Sequence, residues 1–215
     1  MTGRRARLAR AHATGASPLP SEAAVAGGDE RAGGVVDEAV HGAVADGVAV
    51  AGPVADFDAV YRAQWRPVVA LVYGLSGSRA AAEELAQDAF VAAHRHWGRV
   101  GAYEDPGAWV RRVAVNLAVS SLRRRAAEAR ALGRLGGRRR PLPAELGPED
   151  EAFWRAVRAL PARQAQVVAL RYVEDRPVAE IAAILECAEG TVKAHLHRAR
   201  AALAVSLRED VEEER

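Results

Sequence analysis

The side chains in this sequence best suited to chemistry are cations and short polar groups at helical spacing. They form no catalytic set. Val178-x-x-Ile181-Ala182-x-x-Leu185 is followed by a three-residue break, Glu186-Cys187-Ala188, and then by Thr191-Val192-x-x-x-Leu196. That spacing reads as a helix-turn-helix: Ile181, Leu185, Val192 and Leu196 must meet in a small core, with Ala182 small where the helices cross. The second helix then projects Glu189, Thr191, Lys193, Ala194, His195, His197 and Arg198 outward. Short polar groups near a helix N-terminus suit base edges, and cations suit phosphates. Neither a nucleophile with its base, nor a Gly-rich phosphate loop, nor a pair of acids in a plausible pocket is visible, so an enzyme is the weakest reading. His94-x-His96, and Cys187 with His195 and His197, fit no standard zinc spacing, so no metal or other cofactor is expected.

A second candidate surface lies on the helix pattern near Trp109. Arg112, Asn116, Ser120 and Arg123 fall on one helical face at four- and three-residue steps. Asn can pair with a base edge, and Arg can hold a phosphate or stack on a base. The segment before it, 100–107, carries Tyr103, an aromatic able to stack on an unpaired base. A third surface lies on the preceding helix. With Leu85, Ala89, Phe90 and Trp97 inside, its outer face presents Glu83, Glu84, Gln87, Asp88, Val91, His94 and Arg95. An acidic and polar face holding one apolar residue suits a protein partner.

The elements that must position these groups are all helical. The chain has 215 residues, 50% hydrophobic but only 5% aromatic, so the core is mostly Ala, Val and Leu. Residues 1–52 read as a disordered leader, either a regulatory tail or sequence lying upstream of the true start; they have few large apolar groups and no aromatic residue. Asp56 reads as an N-cap for a stripe running Phe57, Val60, Tyr61, Gln64, Trp65, Val68, Val72 and Leu75. Pro67 should kink or split that helix. Ser78 caps the second helix, residues 98–107 read as a loop, and Asp105-Pro106 starts a third helix expected to end near Arg125. Gly133, Gly136-Gly137, Arg138-Arg139-Arg140 and Pro141-Leu142-Pro143 mark a linker. A new helical unit begins near Glu149, and its last helix should end near Leu207, before an acidic tail. The expected architecture is all-α: a leader (1–52), a first helical domain (53–125), a flexible linker (126–148), a second domain (149–208) and the tail (209–215).

Charge and cysteine use narrow the class. Formal net charge is only +2, but the arginines gather in mid-chain, and Lys193 is the only lysine. One cysteine, Cys187, excludes an internal disulfide framework. No apolar stretch is long enough for a membrane span, and the basic start lacks a signal-peptide core, so a cytoplasmic protein is expected.

The stretch LPARQAQVVALRYVEDRPVAEIAAILECAEGTVKAHLHRARAAL resembles the C-terminal domain of extracytoplasmic-function sigma factors of the sigma-70 superfamily. FDAVYRAQWRPVVALVYGLSGSRAAAEELAQDAFVAAHRHW resembles sigma domain 2, and DPGAWVRRVAVNLAVSSLRRR resembles its segment that reads the −10 element. The resemblance implies an alternative sigma factor: a dissociable, non-catalytic subunit that directs core RNA polymerase to promoters. By resemblance, Glu83, Glu84, Gln87, Asp88, Val91 and Arg95 meet the beta-prime clamp helices. Tyr103, Trp109, Arg112, Asn116, Ser120 and Arg123 meet the −10 element. Glu189, Thr191, Lys193, Ala194, His195, His197 and Arg198 meet the −35 element. The implied partners are the polymerase (beta-prime clamp helices and beta flap), promoter DNA and an anti-sigma factor, with no small-molecule substrate and no membrane insertion. TVKAHL alone also resembles the helix-turn-helix of LuxR-type regulators. A polymerase-independent regulator of that kind needs a sensor domain, for which residues 1–148 offer no strand–helix alternation. A helical adaptor with a vestigial helix-turn-helix is the other alternative.

The chain departs from the family pattern in its turn. Glu186 stands where Gly is usual, Ala188 where Ser often caps the recognition helix, and Ala194 and His195 where Ser and Arg are common. A non-Gly residue at positive φ and a lost cap each cost about 1 kcal/mol. The expectation is weakened or altered −35 reading, with some pH dependence from His195.

Overall fold

The computed structural model describes residues 54–134 and 148–213, and every regular element among them is a helix. The expected leader and the glycine- and proline-rich part of the expected linker lie outside the described residues. The first unit holds α1 (Phe57–Ser76), α2 (Arg79–Arg95), the single turn α3 (Trp97–Val100) and α4 (Pro106–Arg134). The second holds α5 (Pro148–Ala159), α6 (Ala162–Tyr172), α7 (Val178–Leu185) and α8 (Glu189–Glu213).

Local chemistry sets the helix ends. The Asp56 carboxylate accepts from the Asp58 and Ala59 amides at 3.3 Å, which starts α1. Gly77 stops it in a left-handed conformation (φ 70°), donating its N–H to Tyr73 at 2.9 Å. Ser78 then caps α2 and the Asp105 carboxylate caps α4, accepting from Ala108 N–H at 3.0 Å. Pro67 does not split α1. Its missing N–H leaves the carbonyl of Ala63 without a helical donor, but Ala63 is exposed and water can serve that oxygen. Residues expected in the loop after α2 form the single turn α3, whose Trp97 indole N–H donates to the Ala55 carbonyl at 2.8 Å.

Two helices outrun their expected ends. α4 continues to Arg134 because AAEARAL holds only good helix formers before Gly133. α8 continues to Glu213 through the expected acidic tail, since no Gly or Pro follows Thr191.

α1, α2 and α4 pack against one another in the first unit. Ala82, Ala86, Ala89 and Ala93 form a fully buried stripe of small residues on α2, which lets the helices approach closely. Leu71, Leu75, Val113 and Leu117 fill the space between them. Phe57, Tyr61 and Trp65 stack along α1 at centroid distances of 6.1 and 5.4 Å, with the Phe90 ring edge-on to Tyr61 at 4.9 Å. In the second unit, Trp154, Val157, Val168, Leu170, Ile181 and Leu196 form the core.

The two units are packed together. Trp154 is fully buried, and its indole lies over Gly74 of α1, where a Cβ would sit 2.8 Å from the ring. Only glycine leaves that space. Arg158, paired with Glu151, donates to the Gly74 carbonyl at 3.3 Å. Replacing the fully buried Leu71 by Ala should cost about 2–5 kcal/mol. Replacing Val205, which is 58% exposed, should change stability little. Chemical denaturation of the two variants checks both.

Candidate nucleic-acid and polymerase interfaces

The helix-turn-helix forms as its spacing predicts. Ile181, Ala182, Leu185, Val192 and Leu196 are all buried, and α7 packs against α8. Glu186 takes the left-handed turn position (φ 49°, ψ 57°), the Cys187 amide donates to the Ala182 carbonyl at 3.0 Å, and the Ala188 carbonyl opens α8. Of the outward set, Glu189, Thr191, Lys193, His197 and Arg198 are exposed, and Ala194 and His195 are half-buried. Lys193 lies 3.4 Å from Glu189, one turn back.

The fold adds two cations that the helix pattern of α8 alone did not single out. Arg171 from α6 and Arg200 from α8 line one groove with Lys193 and His197, beside the start of α7. Arg171 is held there by donating to the Arg176 carbonyl at 2.9 Å, and Arg200 by the Tyr172 hydroxyl at 3.3 Å. Four positive or ionisable groups on one groove suit a polyanion. The sequence carried a signal for Arg200, which follows His197 at three residues. Arg171 needs the tertiary fold.

The face of α2 is open to a partner. Glu84, Gln87 and Arg95 are exposed, and Glu83, Asp88 and Val91 are half-buried. Arg79 pairs with Glu83 at 2.9 Å. Burial raises the Asp88 carboxyl above its ordinary value, the Glu84 carboxylate adds to this, and Arg95 opposes it.

The α4 face is not open. Tyr103 and Trp109 are buried, and the Tyr103 hydroxyl has no hydrogen-bond partner among the described residues. Arg112 is buried and pairs with Glu186 of the second unit. The Asn116 side-chain oxygen accepts from Gln166 of α6 at 2.8 Å. Next to them Arg111, 4% exposed, pairs with Glu174 at 2.8 Å and donates to Gln64. Glu174 continues to Arg176 at 2.9 Å, and Arg176 to Glu180 at 2.8 Å. Ser120 is half-buried, and Arg123 alone of this set is exposed.

Both helical units have relatives among known proteins. The sigma-70 region 2 family model matches residues 60–128, and the sigma-70 region 4 model matches residues 150–203. The extracytoplasmic-function sigma factor SigM of Mycobacterium tuberculosis is 31% identical over 163 residues, covering 72% of this chain and 79% of that protein. SigW of Bacillus subtilis is 28% identical over 153 residues, covering 65% and 82%. The chain belongs to the extracytoplasmic-function sigma factors. Among solved structures, the Bartonella quintana sigma factor RpoE, crystallised with the anti-sigma factor NepR, superposes with a TM-score of 0.53 at 27% identity, over 71% of this chain and 97% of that one.

As such a sigma factor, the protein directs promoter-specific transcription. No helix among the described residues is long and apolar enough to cross a membrane. Within this sigma factor, the recognition helix departs from a simple cationic face at His195. Burial lowers the His195 pKa below its ordinary 6.5, with Arg198 and then Arg163 adding to the effect. Its Nδ1 is buried without a partner among the described residues. A neutral native imidazole binds fewer protons than the unfolded chain does. Stability from this group is therefore complete above pH 6.5 and falls as pH drops toward the lowered native value. Thermal melts between pH 7.5 and 5.5 should show a smaller acid loss in His195→Gln than in the parent.

Proposed function

We propose that this sigma factor docks on core RNA polymerase through the open α2 face, reads the −10 element with α4 and reads the −35 element with α8. Glu83, Glu84, Gln87, Asp88, Val91 and Arg95 form the polymerase surface. Tyr103, Trp109, Arg112, Asn116, Ser120 and Arg123 serve the −10 element, where Tyr103 and Trp109 provide rings and Arg112 and Arg123 provide cations. Glu189, Thr191, Lys193, Ala194, His195, His197 and Arg198 serve the −35 element, with Arg171 and Arg200 extending the phosphate-facing groove. The chain contributes no catalysis of its own. An anti-sigma factor is the expected inhibitor, as the Bartonella relative was crystallised with one.

The observation that carries this reading is the helix-turn-helix with Thr191, Lys193, His197 and Arg198 exposed on α8, on the same chain as the open α2 face. Glu186 and Ala188 at the turn, with Ala194 and half-buried His195 on the helix, support a −35 preference that is weaker or altered.

The test is transcription in vitro by core polymerase from a high-GC bacterium on a pool of randomised promoters. Transcripts that depend on the protein and share two spaced elements support the reading, and their absence overturns it. Lys193→Ala should weaken duplex binding across sequences and lower the salt slope, log affinity against log salt, by about 1. Filter-binding at several salt concentrations reads both changes.

A further inference from the structure

We infer that the C-terminal turns of α4, through Arg124 and Arg130, grip the phosphate backbone of the duplex between the two promoter elements. The inference rests on the assignment of α4 to the −10 element and carries the DNA contact beyond it. α4 reaches Arg134, past the arginine run where the sequence suggested an end. From Arg123 to Ala131 every residue is exposed except Arg125 and Ala129, which are half-buried, so these turns add little to either core. What they add is charge on a surface open to a partner.

The helical register continues the reading face. Arg130 falls about five turns after Arg112 and so returns to the line of Arg112, Asn116, Ser120 and Arg123. Arg124 stands beside that line, next to Arg123. Only Glu128 opposes these cations between Arg123 and Ala131. None of Arg123, Arg124 and Arg130 pairs with a carboxylate among the described residues. Arg130 donates its Nε–H to the Ala126 carbonyl at 3.1 Å, which leaves its terminal nitrogens for a partner. Arg124 and Arg130 are separated by about 9 Å along the helix axis, enough to reach two different phosphates.

The kind of side chain changes along α4. The rings able to stack on an unpaired base, Tyr103 and Trp109, lie before the helix or in its first turn, and no aromatic residue follows Trp109 in it. The far end offers cations, which suit paired DNA met through its phosphates. Chain order sets the direction. The residues after α4 lead to the helix-turn-helix unit assigned to the −35 element, upstream of −10, so the end of α4 faces the duplex between the two. The region 2 family match stops at residue 128 and the region 4 match begins at residue 150, so Arg130 belongs to neither.

The test uses holoenzyme assembled from core polymerase and the full-length chain, either the parent or Arg124→Ala/Arg130→Ala. Both positions are exposed and alanine favours a helix, so the variant keeps the fold. Two fork templates carry the −10 element selected with core polymerase, unpaired on the non-template strand. In one the duplex ends at the upstream edge of that element. In the other it continues for about one helical turn, with arbitrary sequence and no −35 element. The parent is expected to bind the longer template at least tenfold more tightly. The double variant should lose most of that gain, match the parent on the short template, and show a salt slope lower by about 2 on the long one. No gain in the parent, or the same gain in both proteins, overturns the grip on the duplex and leaves the sigma reading intact. An equal loss on both templates also overturns it and assigns the arginines to an acidic surface of the polymerase. Binding of neither template by the parent sinks the −10 assignment as well.

Discussion

A buried guanidinium is the constraint around which this molecule is arranged. Arg111 is 4% exposed on α4, and an unpaired charge at that depth would be strongly destabilising. The first unit supplies only part of what it needs: Gln64 from α1, and Asp105 at 4.0 Å. The remaining partner, Glu174, comes from the turn before α7 and is itself 6% exposed. Each unit therefore carries a charge that the other satisfies. Arg176 and Glu180 extend the chain of pairs to the first turn of α7, so the placement of the helix-turn-helix is tied to the placement of α4.

Such a pair fixes geometry more than it adds stability, because desolvating two charges offsets much of their attraction. The apolar contact of Trp154 with Gly74 supplies the favourable burial, and the ion pairs set the register in which the units meet. This division has a consequence for function. Apolar contact holds the units together over a range of positions, whereas Arg112 with Glu186 and Asn116 with Gln166 are satisfied in only one. The face proposed to read the −10 element is the face on which the second unit packs.

Much of the fold was legible because it is local. The caps at Asp56 and Ser78, and the buried set Ile181, Leu185, Val192 and Leu196, follow from neighbours within a few residues. Pro67 leaves α1 unsplit because the carbonyl it frees, that of exposed Ala63, can be served by water. The end of α4 was placed too early because a run of arginines resembles a helix terminus, although Ala and Arg continue a helix well. The closed face was not legible at all. Asn116 and Gln166 are 50 positions apart, Arg111 and Glu174 are 63 apart, and no periodicity connects them. Tyr103 and Arg112, both expected to meet DNA, are buried, and Arg112 is paired with Glu186 of the second unit.

The most direct test of this arrangement is the distance between the units in solution, with and without polymerase. Spin labels at two exposed helix positions, introduced as Ala59→Cys and Ala202→Cys with Cys187→Ser, place one probe on each unit. A single narrow distance in the free protein, replaced by a longer one on core polymerase, is the result that mutual burial of Arg111 and Glu174 predicts. A broad or already long distribution in the free protein, unchanged by polymerase, would contradict it.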